Sequence, residues 1–503
     1  MAESLGYLLD GFSTATVWYN LLFCLLGVVF GMLVGVLPGL GPSAGTAMLL
    51  PLTYGLGAES AIIMLAGIYY GAMYGGTITS VLVNIPGESA SVITCMDGYP
   101  LAQKGRAGVA LGVAGIGSFI GGTVAMLGLV LVGPVVAQQA LKFGPPEYFC
   151  LMAMGMTMVV GLLGKSLVRG MMAAFLGLAL SMVGMDLSSG IARFTLGTDY
   201  LLGGLDFICI AIGMYGMSEI FLSLEKDLTQ KVKIPPIKGL FPEKEERPLV
   251  AKAIGRGTLL GFFIGLIPGT NSVIPTILSY SIEKKLSKHP EKFGTGVVEA
   301  VAGPETANNA YCGGSLIPLF TLGIPTSPTI AILLGAFIMH GLQPGPTLFR
   351  DSPEVVWAVI ASMFIGNTLL LVLNLPMAGF WAQLTRVPTK IMSPIIIIVS
   401  ILGTYSINNS MTDVMTMLIF GVVGYLMKKA DLPLAPVILT FVLGDTMEQN
   451  LVQAMTIFRG DPLMFFQRPI CAVMIAVIVV VVVISVVTKT KRGKIYGDEE
   501  VEM

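Results

Sequence analysis

The chain has 503 residues, 54% hydrophobic and 12% charged, with a mean hydropathy of +0.83. Soluble proteins carry about 25% charged residues, so this is a membrane protein. A net charge of −1 leaves no nucleic-acid footprint, and six scattered cysteines with two distant histidines argue against disulfide, zinc or His-based catalytic centres.

The first residues, Met-Ala-Glu-Ser, lack a basic region, so the first apolar run is expected to stay as a membrane segment. Residues 11–58 carry no charged side chain. That exceeds the roughly 20 residues one spanning helix needs. The run is interrupted at Pro38-Gly39, which ends Gly31-Met-Leu-Val-Gly-Val-Leu-Pro-Gly39. Proline removes a backbone donor and glycine releases the chain from helical geometry. Residues 60–87 are again uncharged, with Gly75-Gly-Thr77 followed by Asn84-Ile-Pro-Gly87. Spans are predicted at about 107–136, 147–164, 167–185 and 200–222.

Residues 223–256 are rich in charge and proline and read as a cytoplasmic linker, separating a first half (1–222) from a second (257–468). The second half repeats the signals: Gly261-Phe-Phe-Ile-Gly-Leu-Ile-Pro-Gly269, then Gly313-Gly-Ser315, then Gly323-Ile-Pro325. Spans follow at about 355–382, 391–408, 411–427 and 432–446. Residues 469–503 hold a terminal span and a tail that opens basic and ends acidic. The sum is an all-α polytopic membrane protein with about 11–12 transmembrane helices and re-entrant or broken helices in two repeats. Basic residues follow the breaks of the first half (Lys104, Arg106) and precede those of the second (Lys252, Arg256). The halves are therefore expected to be inverted, with the C-terminus cytoplasmic.

A broken helix offers free N–H groups and a positive dipole end to an anion, and unwound carbonyls to a cation. Substrate contacts are expected at Gly39, Ser43, Gly75, Gly76, Thr77 and Asn84 in the first half. In the second they are expected at Asn271, Ser272, Asn308, Asn309, Gly313, Gly314 and Thr326. Coupling-ion contacts are expected at Pro86, Gly87, Glu88, Glu305, Ser315 and Pro325. Each has a structural alternative: hydroxyls bond back to their own helix, glycines permit close packing, and Glu88 or Glu305 caps a helix end. No Lys or Arg falls within the uncharged cores, so an anion would be held by dipoles, amides and hydroxyls. No nucleophile–base set is spaced for catalysis, so no enzyme activity is expected. There is no phosphate-binding loop for ATP, leaving a secondary carrier or a channel.

Eight short motifs carry a resemblance: Leu37-Pro-Gly-Leu-Gly-Pro42, Tyr69-Tyr-Gly-Ala-Met-Tyr-Gly-Gly76, Asn84-Ile-Pro-Gly87, Asp97-Gly-Tyr-Pro100, Gly105-Arg-Ala107, Pro304-Glu-Thr-Ala-Asn-Asn309, Leu322-Gly-Ile-Pro325 and His340-Gly-Leu-Gln-Pro-Gly-Pro346. The chain resembles the large membrane subunit of tripartite tricarboxylate transporters, the TctA family. Thr326 departs from the pattern, which usually has Gly after Ile-Pro. The resemblance implies the translocating subunit of a bacterial inner-membrane symporter for citrate or related carboxylates, with sodium or protons as coupling ion and no other cofactor or metal. It also implies two partners, a small four-helix membrane subunit (TctB-like) and a periplasmic solute-binding protein (TctC-like). By analogy with other carboxylate carriers it suggests an elevator-like motion.

Overall fold

The structure is a computed structural model that describes residues 2–37, 40–163, 166–186, 189–225, 237, 239–384 and 389–499. Pro38, Gly39 and residues 226–236 lie outside that set. The described chain is helical almost throughout, and six helices are long and apolar enough to cross a membrane. Among the described residues the exception is one short antiparallel hairpin, in which Gly184 pairs with Arg193.

In the first half the helices are α1 (Ala2–Ala15), α2 (Trp18–Val36), α3 (Gly41–Leu49), α4 (Ala58–Val83), α5 (Val92–Leu101) and α6 (Ala107–Ala140). They continue as α7 (Pro145–Leu163), α8 (Leu167–Ser181) and α9 (Phe207–Glu225). The second half has α10 (Arg247–Gly265), α11 (Val273–Leu286), α12 (Glu299–Leu322), α13 (Pro328–Met339) and α14 (Pro353–Leu384). It ends with α15 (Thr389–Asn408), α16 (Met411–Lys429), α17 (Leu434–Ile457) and α18 (Pro469–Glu499). Both halves run helix, break, half-helix, buried helix, break, half-helix, long helix. Several boundaries differ from the sequence reading. Helix α8 stops at Ser181, and Gly184 and Met185, expected inside a span to 185, pair in the hairpin; α9 begins at Phe207, where a span was expected from about 200. Helix α10 starts inside the charged stretch, because its Val250, Ala253 and Ile254 pack inward while Lys252 stays exposed. Helix α17 runs on to Ile457, past the acidic Asp445 and Glu448 that read as the end of a span.

Lipid tails are as apolar as leucine, so burial of apolar area does little to drive helices together in a bilayer; close backbone approach does more. The sequence supplies that approach twice. Gly27, Gly31 and Gly35 of α2 interlock with Gly67, Gly71 and Gly75 of α4, and a Cβ on Gly31 would lie 2.8 Å from the Gly71 Cα. In the second half Gly257, Gly261 and Gly265 of α10 meet the backbone of Gly303, Ala307 and Tyr311 on α12. The helices held this way, α4 and α12, are the most enclosed, with Tyr69, Tyr74, Tyr311 and Phe320 all fully buried.

The halves are tied at one edge by Asp97 of α5, which is fully buried. Its carboxylate accepts from the Gly296 and Val297 amides at 2.7 and 2.8 Å, from Gly294, and from the Tyr280 hydroxyl at 2.9 Å. Gly294 and Gly296 have φ of +90° and +104°, which curls successive N–H groups around one anion. Nearby, Arg106 makes a two-pronged contact with Glu246 at 2.8 and 2.6 Å.

Candidate functional site

Helix α2 ends at Val36 and the chain restarts at Gly41. Helix α10 ends at Gly265 and restarts at Val273. Helix α4 ends on Asn84, in the left-handed region at φ +59°, before Ile85-Pro86. Helix α12 ends on Gly323 before Ile324-Pro325. Proline after each left-handed residue blocks resumption of the helix, so the chain turns back. These interruptions converge on one cavity of 730 Å³. It lies between the breaks with the central helices α4 and α12 on one side and α8, α9, α16 and α17 on the other. Ser43 and Thr329 hydrogen-bond at 2.8 Å and join a break of one half to a break of the other.

Six helices present their N-terminal residues to this cavity: α3 (Ser43), α5 (Glu88 to Val92), α8 (Ser166, Arg169), α11 (Asn271 to Val273), α13 (Ser327 to Thr329) and α17 (Leu434, Ala435). Five of the six have no side-chain cap; in α13 Ser327 accepts from the Ile330 amide. Each uncapped terminus leaves free N–H donors and about half a positive charge. These termini favour negative charge in the cavity, against the carboxylates of Glu88, Glu219 and Asp431 on the same lining.

The sequence-predicted residues fall into three sets. Ser43, Asn271, Ser272, Pro86, Gly87 and Glu88 line the cavity. Others sit behind that wall. Asn308 donates to Glu88 at 2.6 Å, and Thr77 donates to Glu305 at 2.5 Å, with Thr94 on its other oxygen. Asn309 turns away to Ser118 at 2.7 Å. Ser315 lies beside the Tyr69 hydroxyl at 3.3 Å, and Pro325 and Thr326 are buried in the second break. Gly76 makes room for Glu88, whose Cγ would be 2.9 Å from an added Cβ. Gly75, Gly313 and Gly314 pack against Met32, Ala125 and Phe262. Asn84 is exposed and off the cavity lining, and Gly39 lies outside the described residues.

Glu88 and Glu305 are 7% and 1% exposed; Glu305 lies inside α12, and Glu88 precedes α5 without making a cap hydrogen bond. Their situations differ. Glu305 has both oxygens filled by threonine hydroxyls and lies off the cavity. Glu88 lines it, with Asn308 on one oxygen.

The structure also brings two cations to the wall, contrary to the expectation of an anion site without Lys or Arg. Arg169 faces Asp431 at 3.5 Å, and Lys428 pairs with Glu219. Their signal in the sequence was a lone basic residue at the edge of an apolar run, Arg169 in α8 and Lys428 closing α16. Nothing in the sequence tied either run to the breaks.

Residues 21–439 match the tripartite tricarboxylate transporter TctA family. The 52.8 kDa protein in the TAR-I ttuC' 3' region of Agrobacterium vitis is 44% identical over 502 residues, covering 99% of this chain and all of that protein. A protein in the TAR-II ttuC' 3' region of the same organism is 42% identical over 242 residues, 48% of this chain and all of its own length. No solved structure matches.

Proposed function

The chain belongs to the tripartite tricarboxylate transporter TctA family, as a multi-pass membrane subunit, and we propose that it is the subunit through which a carboxylate is imported. The observation that carries this reading is the convergence of six helix N-termini on a single 730 Å³ cavity. A carboxylate arm accepts two or more N–H bonds in such a field. Arg169 and Lys428 bring guanidinium and ammonium donors to the opposite wall, each beside a carboxylate, Asp431 and Glu219, that lines the same cavity. The cargo fitted best is a di- or tricarboxylate such as citrate, since one monocarboxylate cannot use termini on all sides.

Anion accumulation against a gradient needs a co-transported cation, sodium or a proton. Glu88 is the carboxylate placed for that role: charged, it repels the cargo; neutralised, it lets the cargo in. A periplasmic solute-binding protein delivers the cargo and a small membrane subunit completes the assembly, which sits in the bacterial inner membrane. The basic run Lys489–Lys494 supports a cytoplasmic C-terminus, and the reversed basic flanks of the two halves support reading them as an inverted repeat. The test is reconstitution of the whole assembly in liposomes with radiolabelled citrate under imposed sodium and proton gradients. Saturable uptake that needs both a gradient and the binding protein is expected. Gradient-independent single-channel conductance would show a channel instead.

A further inference from the structure

We propose that the two breaks of the second half enclose a seat for a small monovalent cation of the sodium class, built from the neutral oxygens of Thr270, Asn271, Tyr311 and Thr326, with Ser327 at its mouth. This rests on the reading of the adjoining cavity as an anion-translocating site, whose charge the cation would offset.

Thr270 and Thr326 are 2% and 0% exposed, one in each break. The Tyr311 hydroxyl stands between them. It donates to the Thr270 carbonyl at 3.1 Å and has the Thr270 hydroxyl 3.5 Å away. The Thr326 and Ser327 side chains face the same hydroxyl. Two oxygens in this group, Asn271 Oδ1 and Thr326 Oγ1, are buried with no hydrogen-bond partner. Buried acceptors are rarely left so, and the usual explanation is a bound ion or water. Asn271, Tyr311 and Ser327 line the cavity, so the cluster has a path for loading.

The ligand type selects the ion. Hydroxyl, amide and carbonyl oxygens are hard donors. The cluster has no carboxylate, whereas calcium sites draw on several. Among the described residues no group of three His, Cys, Asp or Glu is placed for a metal. A single positive charge is what such a set can hold, and unwound carbonyls at helix breaks coordinate sodium in carriers of this kind. The arrangement is also specific to one half. Aligning Pro38-Gly39 with Pro268-Gly269 and Ile85-Pro86 with Ile324-Pro325 sets Leu40 and Gly41 against Thr270 and Asn271, and Gly87 against Thr326. The oxygens are therefore not a by-product of the repeated scaffold.

The test uses the purified full-length chain in detergent, without carboxylate or partner proteins, and reads the thermal midpoint against sodium, potassium and choline chloride. Sodium is expected to raise the midpoint saturably, with choline inert. Thr326→Val keeps the shape and removes the oxygen, and it should raise the half-saturating sodium concentration about tenfold. Thr326→Ser should restore it, and Tyr311→Phe should weaken it in the same way. An equal response to choline, or a Thr326→Val or Tyr311→Phe chain with unchanged half-saturation, would overturn the proposal. Uptake measurements separate it from the transport reading. Carboxylate uptake that persists without any sodium-specific stabilisation sinks this site alone. A chain with the sodium response but no carboxylate transport in the complete assembly sinks the transport reading alone.

Discussion

The two halves share a scaffold and differ in chemistry. In each, a glycine-lined helix locks against a buried central helix, and the chain breaks at Pro-Gly and again at Ile-Pro. At the first-half breaks the cavity meets Gly41, Met73, Gly87 and Glu88. At the second it meets Asn271, Ser272, Tyr311 and Ser327. The first-half breaks bring a carboxylate, Glu88, beside the hydroxyls of Ser43 and Ser89; the second-half breaks bring only neutral hydroxyls and amides. Repetition of the glycine spacing fixes backbone geometry, and backbone geometry alone places the helix N-termini. What each half presents to the cavity is left to a few side chains at the breaks.

The strongest challenge to a shared scaffold is to remove it from one half at a time. Gly31→Leu and Gly261→Leu should each prevent stable folding, because the new side chain meets backbone and not a movable group; overpacking costs on the order of 3 kcal/mol or more. Gly255→Leu, with nothing within 4 Å of an added Cβ, should keep the wild-type detergent melting profile. If the glycine pair in only one half is sensitive, the halves are not mechanically equivalent.

The chemical difference is sharpened at Glu88. Glu88→Gln should leave folding intact and lower gradient-driven uptake by about a hundredfold, roughly 2.7 kcal/mol. Asn308→Ala, which strips the donor from Glu88, should follow it. Asn309→Ala loses contacts to Ser118 of α6 and to the Glu305 carbonyl, neither on the cavity, and should lower the melting temperature while leaving uptake nearer wild type than Asn308→Ala does. Equal effects of Asn308→Ala and Asn309→Ala would erase that distinction. Next in size, Arg169→Gln should raise the KM for a tricarboxylate about tenfold while leaving kcat nearly unchanged.

The smallest effect concerns the Arg106–Glu246 contact between the halves. Burial pushes the Glu246 carboxyl up, but the Arg106 guanidinium and the Glu243 amide outweigh it and hold the group below its ordinary value of 4.5. A depressed carboxyl stabilises the fold above its unfolded value and loses that contribution as pH falls through the folded one. Wild type should therefore melt slightly above Arg106→Gln at neutral pH, and the two should converge below pH 4.5.

Much of this architecture was legible in the sequence because Pro-Gly and Ile-Pro are conspicuous inside uncharged runs. Ser43, Asn271, Ser272 and Glu88 followed, being polar residues adjacent to a break. The facing of Asn308 and Asn309 was not legible. Successive residues on a helix point about 100° apart, so one meets Glu88 and the other Ser118, and only the packing of α12 decides which. Arg169 and Lys428 were hidden for a related reason. They belong to α8 and α16, which meet the breaks only through tertiary contacts.

The loop that grips Asp97 restricts how the cavity can open. Bonds from three backbone amides and one from Tyr280 of α11 act as a rivet between the middle of α5 and the loop after α11. Riveted parts cannot slide past each other, so α5 of the first half and α11 with its following loop in the second must travel together or not at all, and a change in the gap would fall at their border with α8, α9, α16 and α17. Spin labels at Tyr99 and Thr295 should report one unchanging distance in every state of the transport cycle, while a pair spanning Ser89 and Asp431 reports at least two.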